Sequence, residues 1–457
     1  MADILKTYNA IPYSPAASDL IKNGWTIPSD IEFPDLDHAA SVSERLATVV
    51  EALKTVENRI HDENNQGVQE LYHNMFWLPL IQLRQQLSQE AFDNMPTTLV
   101  GYDEAVNVVK EILYAAIKKQ TGVNHVAVNK IKGYEDEVSL VAACLADAEG
   151  QKHETHGISR VLFYADAMSK NHINPNGIVK LISQTPGKLS FDGGGTFGQV
   201  AVQMSLQYAL EHMDTLPEDS ALMVTMRNAH HAGRLEWILR QAARNGCNSF
   251  ALFNVDGHGR TSPHGGREGR YGTNPISMGV STGIGSSGYV GDCSSTASVE
   301  GKVRVALLNN QTVPLGVLAT PDGHPTIDPA GLYRENDYDL LCSIGGEVAE
   351  HKGAMLGGMI KLLVDAATGR PLGDPVGITG RNNLVLLLHK TTSAGIASVK
   401  ENAAYITSCP PKKSFTEIRL PGVGGMERLE LAKANGLLKI ASGTWEKVLV
   451  LHKEIVV

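Results

Sequence analysis

The sequence predicts a mixed α/β fold, helical in its first half and rich in glycine and short strands in its second. Three observations support this prediction. Apolar residues recur at helical spacing through much of residues 41–220, and short apolar runs of strand length begin at residue 221. The strands are too irregularly spaced to indicate a parallel sheet. The contents of hydrophobic residues (42%) and charged residues (19%) are typical of a globular protein.

The first 97 residues are predicted to form a helical N-terminal extension. Prolines at positions 12, 15, 28 and 34 keep its beginning irregular or extended. The run ASVSERLATVVEALKTVENRI then carries apolar residues at helical spacing. A second run, VQELYHNMFWLPLIQLRQQL, has the same pattern and is interrupted by Pro79. This extension contains no cluster that indicates chemistry.

Two further units follow. Residues 98–220 are predicted to be a helical segment, completed by residues 400–457, and residues 221–399 an α/β domain. The helices expected in the helical unit are EAVNVVKEILYAAIKK, DEVSLVAACLADA, residues 158–169, VAVQMSLQYALEHM and GMERLELAKANG. In the α/β domain, LEWILRQAARNG and GGMIKLLVDAATG are predicted helices, and ALMVTM, SFALFNV, ISMGVST, RVALL, LGVLA and LVLLL are predicted strands.

Two glycine clusters raise the question of phosphate binding. Residues 283–288, GIGSSG, match the GxGxxG pattern, but the following YVGDCSSTASVEGKVRVALL is predicted to be strand, turn and strand. A dinucleotide phosphate needs a helix N-terminus there, so a glycine-rich hairpin loop is favoured. The second cluster, DGGGTFGQ at 192–199, opens a predicted helix. An anion site and a plain turn remain equal alternatives for it.

The histidines have several interpretations. HETHGISR has the spacing HxxH rather than HExxH, so a zinc peptidase site is not indicated and no metal is expected. Arg160 follows His156 by four residues, which on a helix would place both on one side. They could bind a carboxylate or form a surface ion pair. HKG at 351–353, ahead of a predicted helix, could bind a phosphate or amide or cap that helix.

Charge and cysteine usage exclude several classes of partner. A net charge of −9 and a pI near 6.0 argue against nucleic acid or an anionic membrane surface. The beginning of the chain does not resemble a signal peptide, and its longest aliphatic runs are strand-sized. Five widely spaced cysteines without a CxxC pair indicate free thiols. We therefore expect a cytoplasmic protein.

Taken in order, several stretches carry a specific resemblance: THGISRVLFYADAMSKNHINP, DGGGTFGQ, MRNAHHAG, GGREGRYGTNP, DCSSTASVEGK, DGHPTIDP, HKGAMLGGMIKLLVDAATG and LPG. Over about residues 100–457 the chain resembles the malate/L-lactate dehydrogenase family of the second type. The resemblance implies a nicotinamide-binding domain distinct from the Rossmann fold, within residues 221–399. It also implies NAD or NADP as cofactor, a small carboxylate substrate, and a homodimer or higher homo-oligomer.

The resemblance also assigns site residues. His231, in NAHHAG, matches the proton donor and acceptor, which leaves His230 as a neighbour. Arg160 with His156 matches the residues that hold the substrate carboxylate, and Thr273 and Asn274 of GTNP shape the substrate site. The implied cofactor contacts are Asn254, Asp292, Ser294, Ser295, Lys352, Gly353, Pro421 and Gly422. The implied reaction is hydride transfer between nicotinamide and a 2-hydroxy or 2-oxo acid of the malate or lactate type.

Departures from the family pattern keep alternatives open. Val255 follows Asn254 where a serine is expected, Val423 replaces a carboxylate, and Ala232 replaces an aromatic residue. A small residue at 232 would leave room for a larger substrate. The alternatives are a cyclic 2-imino acid reductase using the same residues, a non-catalytic binding or assembly protein, and a metal-dependent hydrolase or lyase. The first 97 residues have no counterpart in the family.

Overall fold

The computed structural model describes residues 15–23, 42–63, 65–77, 79–80, 83, 86–87, 90, 94–255, 259–369, 382–413 and 415–456. The helices are α1 (Pro15–Lys22), α2 (Val42–Asp62), α3 (Gln66–Tyr72), α4 (Tyr102–Thr121), α5 (Glu137–Gly150), α6 (Arg160–Ser169), α7 (Gly198–Asp214), α8 (Glu236–Arg244), α9 (Glu300–Leu308), α10 (Gly346–Thr368), α11 (Ser393–Thr407), α12 (Val423–Asn435) and α13 (Ser442–Ile455). The strands are β1 (Thr97–Gly101), β2 (Lys180–Thr185), β3 (Lys188–Asp192), β4 (Ala221–Ala229), β5 (Cys247–Val255), β6 (Ile276–Val280), β7 (Tyr289–Cys293), β8 (Leu318–Ala319), β9 (Pro325–Thr326), β10 (Leu340–Leu341), β11 (Asn382–Lys390) and β12 (Leu437–Ala441).

A seven-stranded mixed sheet forms the centre of the fold, in the order β2-β3-β4-β11-β5-β6-β7. Only the β3–β4 pair is parallel, and the other pairs are antiparallel. β11 lies in the middle because its apolar run is buried, as Leu384, Leu386 and Leu388 show. The prediction of a mixed α/β fold is confirmed.

Helices cover both faces of this sheet. On one face, α7 and α8 place residues such as Leu206 and Leu239 against the sheet core that includes Leu386. On the other face, Ile360 and Val364 of α10 pack on Leu252 and Val385. The C-terminal end of β4 lies under the face that α7 and α8 cover, so it lies next to these two helices.

A helical layer surrounds a separate core. Ile112 of α4, Leu140 of α5, Tyr164 of α6 and Trp445 of α13 contribute to one buried cluster. The strands β1 and β12 pair antiparallel, with Val100 opposite Leu438. The C-terminal part of the chain is thereby joined to residues that follow the N-terminal extension.

The structure corrects some local predictions. RVALL is not a strand but part of α9, whose Val303 and Ala306 are buried at helical spacing. LGVLA forms only the two-residue strand β8. HKG lies inside α10, not ahead of it. GIGSSG does connect the antiparallel strands β6 and β7, so the hairpin prediction is confirmed.

The helices of the extension have a core of their own, formed by Val49, Leu53, Phe76, Leu80 and neighbouring apolar residues. The first half of the predicted run VQELYHNMFWLPLIQLRQQL is present as α3 followed by one π-helical turn, His73–Trp77, and several residues of its second half lie outside the described residues. Among the described residues, no helix is both long enough and apolar enough to cross a membrane.

Candidate active site

The end of β4 places two histidines beside the start of α7. The glycine cluster after β3 holds this strand end, because Gly193 N–H donates to Arg227 O at 2.8 Å and Gly195 N–H to Asn228 O at 2.7 Å. His230 N–H in turn donates to Thr196 O at 2.9 Å. With these amides bonded to the protein, the turn interpretation of DGGGTFGQ is favoured over the anion site.

Gly198, the first residue of α7, allows close packing at this point. A Cβ there would collide with the carbonyl oxygen of His230 and with the backbone at residues 231 and 232. The glycine therefore lets the helix start directly against the histidine segment. Ala232 is buried in the sheet core, so its small side chain does not open the site. The prediction of room for a larger substrate beside Ala232 is wrong.

His231 is oriented through Nδ1. Gly233 N–H donates to Nδ1 at 3.3 Å, which makes this nitrogen an acceptor, and the Tyr164 hydroxyl lies 2.9 Å from it as a second donor. Gln199 Nε2 donates to the Tyr164 oxygen at 2.8 Å. The neutral ring consequently carries its proton on Nε2. His156 stacks on the His231 ring, with centroids 5.5 Å apart and an interplanar angle of 12°.

His230 has a different environment from its neighbour. Its ring packs against Phe163 at 5.4 Å and Tyr164 at 6.1 Å between centroids, and it is almost fully buried. Its Nδ1 has no hydrogen-bond partner among the described residues. Burial, with smaller effects of His172 and Arg160, lowers the pKa of His230 to about 3. His230 is therefore a neutral, buried neighbour of His231.

The pKa values of the two stacked histidines are also lowered. Burial is the largest cause for both, and the positive charge of Arg160 is the next. Both pKa values lie well below the usual 6.5 as a result. His156 and His231 are therefore neutral at physiological pH.

The position of Arg160 relative to His156 differs from the one that the sequence predicts. His156 ends a 3₁₀ turn, Glu154–His156, and Arg160 begins α6 beyond it, so the two do not share a helix. Instead, Arg160 Nε donates to Thr155 O at 2.7 Å. Arg160 Nη1 pairs with Glu300 Oε2 at 2.9 Å. This ion pair is buried rather than on the surface.

The predicted cofactor residues group around the end of β7. Asp292 accepts hydrogen bonds from Ser277 Oγ at 2.7 Å and from Leu235 N–H at 3.0 Å, and so ties β7 to the start of α8. Val290 N–H donates to Pro421 O at 3.3 Å. Arg240 Nη2 donates to Gly422 O at 2.8 Å, against a glycine whose φ is +83°.

The neighbouring candidates form a second group. Ser295 donates to Thr273 O through both its N–H and its Oγ, each at 2.9 Å. Its own carbonyl accepts from Ile344 N–H, and Gly353 packs against Ile344 without room for a Cβ. Lys352 beside it is exposed. Ser294 Oγ instead donates to Thr296 O at 3.0 Å.

Two predicted residues are fully occupied within the fold. Asn254 Oδ1 accepts from Asn383 Nδ2 at 3.1 Å, and Asn254 Nδ2 donates to Asp365. Asn274 Nδ2 donates to Gly357 O at 2.9 Å. Both side chains are completely buried. Their amides brace the sheet and α10, and the structure does not bring Asn254 into either group above.

A cavity of about 370 Å³ adjoins His156, between α5, α7, α8 and α12. His156, Gln199, Gly233 and Trp237 line it, together with basic residues that include Arg234 and Arg240. Gln199 Oε1 and Trp237 Nε1 have no hydrogen-bond partner among the described residues. Within the same residues, no group of three or more His, Cys, Asp or Glu side chains is placed to hold a metal ion.

Comparison with known proteins identifies the family. A sequence model of malate/L-lactate dehydrogenases matches residues 122–449, well over half of the chain. The chain belongs to the malate/L-lactate dehydrogenase family. As a member of this family of dehydrogenases, the chain is an oxidoreductase.

Individual members of the malate/L-lactate dehydrogenase family are similar over most of the chain. The L-lactate dehydrogenase of Cupriavidus necator is 28% identical over 317 residues, or 67% of this chain and 88% of that protein. A Δ¹-pyrroline-2-carboxylate/Δ¹-piperideine-2-carboxylate reductase of Pseudomonas aeruginosa is 28% identical over 235 residues, or 51% of this chain and 66% of that protein. The malate dehydrogenase of Pyrococcus horikoshii shares the fold, with a TM-score of 0.64 at 19% identity over 79% of this chain and 96% of that chain.

Sequence reasoning missed residues that contact the predicted site residues. Tyr164 and Gln199 orient His231, and Glu300 and Arg304 surround Arg160. Tyr164 could have been found, because it follows Arg160 by four residues on one helix. Nothing local indicates Glu300, whose partner Arg160 is 140 residues earlier.

Proposed function

We propose that the protein transfers hydride between NAD or NADP and the C2 atom of a 2-hydroxy or 2-oxo acid of the lactate or malate type. The observation that carries this proposal is the arrangement of His231, fixed through Nδ1, beside the buried cation of Arg160. Family membership supplies the reaction class. The chain's own geometry supports the roles of the two residues.

His231 acts as proton donor and acceptor for the substrate oxygen. When a substrate carboxylate pairs with Arg160, the positive field on His231 falls and its pKa rises, so the ring takes up a proton. The Tyr164 hydroxyl suits both states, since it can donate to Nδ1 or accept from Nδ1–H. Nε2–H then gives its proton to the alkoxide oxygen, which leaves a neutral ring with its remaining proton on Nδ1, facing the Tyr164 oxygen. In the reverse direction, Nε2 of this tautomer takes the proton back.

The cavity beside His156 has features that fit the nicotinamide cofactor. Gln199 and Trp237 offer an unpartnered acceptor and donor, and the arginines suit phosphates. Asp292, Gly422 and the backbone around Gly233 adjoin this region. When bound, the cofactor supplies or accepts the hydride. Whether it is NAD or NADP is decided by the assay below.

The test follows oxidation of NADH and, separately, NADPH with a panel of 2-oxo acids. His231→Ala should lower kcat by at least about a hundredfold, because general acid–base catalysis contributes on that scale. His324→Ala, which changes an exposed histidine, is the matched control and should keep wild-type rates. Unchanged turnover in His231→Ala, or cofactor binding without turnover on any carboxylate, would contradict the proposal.

A second candidate is reduction of a cyclic 2-imino acid by the same residues. The similarity to the pyrroline- and piperideine-2-carboxylate reductase supports it. Both substrate types place a carboxylate next to a C=X bond, so Arg160 and His231 would keep their roles. Adding cyclic 2-imino acids to the panel separates the two functions, because the values of kcat/KM show whether 2-oxo acids or cyclic 2-imino acids are the better substrates.

We also propose a homodimer that buries one face of α10. Met355, Met359, Leu362 and Leu363 are large apolar side chains of this helix that remain exposed. Leu362→Lys should shift the mass measured by light scattering towards the monomer. Val450→Lys, an exposed apolar position on α13, should leave the mass unchanged. A monomeric wild type would contradict the dimer.

Five free cysteines suit a reducing compartment such as the cytoplasm.

A further inference from the structure

Two of the three guanidinium nitrogens of Arg160 are hydrogen-bonded inside the protein. Nε donates to Thr155 O at 2.7 Å and Nη1 to Glu300 Oε2 at 2.9 Å. The guanidinium carbon lies 5.8 Å from the centroid of the Phe163 ring. A free arginine can grip a carboxylate with two parallel hydrogen bonds, but this one is held on two sides.

Nη2 is the nitrogen that remains. None of the described residues accepts a hydrogen bond from it. It lies against Gly301, where an added Cβ would be only 2.6 Å away, so the glycine makes room for the guanidinium. Arg160 can therefore offer a substrate one nitrogen in a fixed position.

Glu300 is the residue that holds the Arg160 guanidinium in this position. Its Oε1 accepts hydrogen bonds from Arg304 Nε at 2.9 Å, Arg304 Nη2 at 2.6 Å and Tyr333 Oη at 2.8 Å, while Oε2 accepts from Arg160. Burial alone would raise the pKa of Glu300, but Arg160 and Arg304 hold it well below its usual range. Glu300 stays ionised and is saturated with donors.

The charges in this cluster sum to a single positive unit. Arg160 and Arg304 contribute two positive charges and Glu300 one negative charge. Of the neighbouring charges, Arg234, which acts on His156, shares Glu236 with Arg240, and Asp166, which acts on Arg304, pairs with Lys170. The histidines of the site are neutral before an anion binds.

We infer that Glu300 is a positioning residue that limits the site to substrates with one carboxylate group. This inference rests on the proposed function and narrows it to the lactate type, because acids of the malate type carry a second carboxylate. One substrate carboxylate matches the single net positive charge of the Arg160–Arg304–Glu300 cluster and the Nη2 nitrogen of Arg160. A second carboxylate would need another unpaired cation, and both Nε and Nη2 of Arg304 are bound to Glu300.

The test compares two small anions by isothermal titration calorimetry, with and without NADPH. Oxamate has one carboxylate and tartronate has two. The wild type should bind oxamate at least about tenfold more tightly. Glu300→Gln adds one positive charge to the cluster and should reduce or reverse this preference by about tenfold or more. Glu401→Gln, an exposed position on α11, makes the same chemical change and should keep the wild-type preference.

Glu300→Asp separates charge from position and covers the case in which Glu300→Gln does not fold. It keeps the negative charge on a shorter side chain, so it should retain the preference for oxamate while weakening both anions. Equal binding of the two anions by the wild type, an unchanged preference in Glu300→Gln, or binding of neither anion would overturn the inference. The expected anion preference without turnover on any substrate would instead overturn the proposed function alone.

Discussion

At the residue scale, the working orientation of His231 depends on donors contributed from elsewhere in the chain. Tyr164 and Gly233 both point a donor at Nδ1, so Nε2 is the nitrogen left for the substrate. Tyr164→Phe removes one donor and frees the ring to change its tautomer. We expect kcat to fall by about tenfold to a hundredfold with a smaller change in KM. Steady-state kinetics measures this, with Tyr208→Phe, at an exposed hydroxyl, as the control; equal losses in both variants would contradict it.

Glu149 provides a second prediction at this scale. Burial, and the nearby Glu154, raise its pKa from 4.5 to about 8. Because the folded state holds this proton more tightly than the unfolded state, the contribution of Glu149 to stability should decline as pH rises from 4.5 to 8 and then level off. Each unit of pKa shift corresponds to about 1.4 kcal/mol, so the loss is on the order of a few kcal/mol.

Glu149→Gln removes the titration while keeping an acceptor for the N–H of Ile158. The free energy of unfolding in urea, compared with that of the wild type at the same pH, should shift in favour of this variant as pH rises across the range, because only the wild type loses the contribution of Glu149. Glu430→Gln, at an exposed position of α12, should keep the wild-type pH dependence. A Glu149→Gln protein with the same pH dependence as the wild type would show that Glu149 is not the group responsible.

The sequence identifies some of these residues and not others for a physical reason. His231, His156 and Arg160 lie in short motifs, and the resemblance of those motifs predicts their roles. The partners that set their charge and orientation are distant in sequence: Tyr164 is 67 residues from His231 and Glu300 is 140 residues from Arg160. Such contacts form only after the helical layer and the sheet have packed together.

At the element scale, the start of α7 is the most constrained feature of the site. Gly198→Ala would drive a methyl group into the backbone of His230 and push the histidine segment away from the helix. We expect a loss of about 1–3 kcal/mol in the free energy of unfolding, with a larger proportional loss of kcat. Gly187→Ala, where nothing lies near the added methyl, is the control. Wild-type kcat in a folded Gly198→Ala protein would contradict this account.

The same scale shows why one element was misassigned. RVALL is a short apolar run, and such a run alone does not distinguish a strand from a buried helix. In the structure it continues a helix that begins at Glu300, with Val303 and Ala306 facing a core that includes Leu332. Longer periodic runs, such as those of α4 and α5, were assigned correctly because they repeat the helical spacing over several turns.

At the scale of the whole molecule, the extension and the family region have separate cores. The extension's apolar residues pack on one another, whereas Thr97–Gly101 pairs with β12. Deleting residues 1–94 should therefore leave the thermal transition of the remaining protein and its turnover close to wild type. Deleting residues 1–101 removes β1 and exposes β12, and should lower the melting temperature by several degrees. Scanning calorimetry of both proteins measures this; equal losses in the two would mean that the extension stabilises the rest of the chain.

The neutral state of the stacked histidines has a thermodynamic consequence for the whole molecule. An anion that pairs with Arg160 weakens the field that keeps His231 unprotonated, so binding draws a proton from the solvent. The heat released on binding then depends on the ionisation enthalpy of the buffer, and affinity falls as the medium becomes more alkaline. Binding and acidity are thus linked through one imidazole, and the protein stores the proton for its reaction at the moment the substrate arrives.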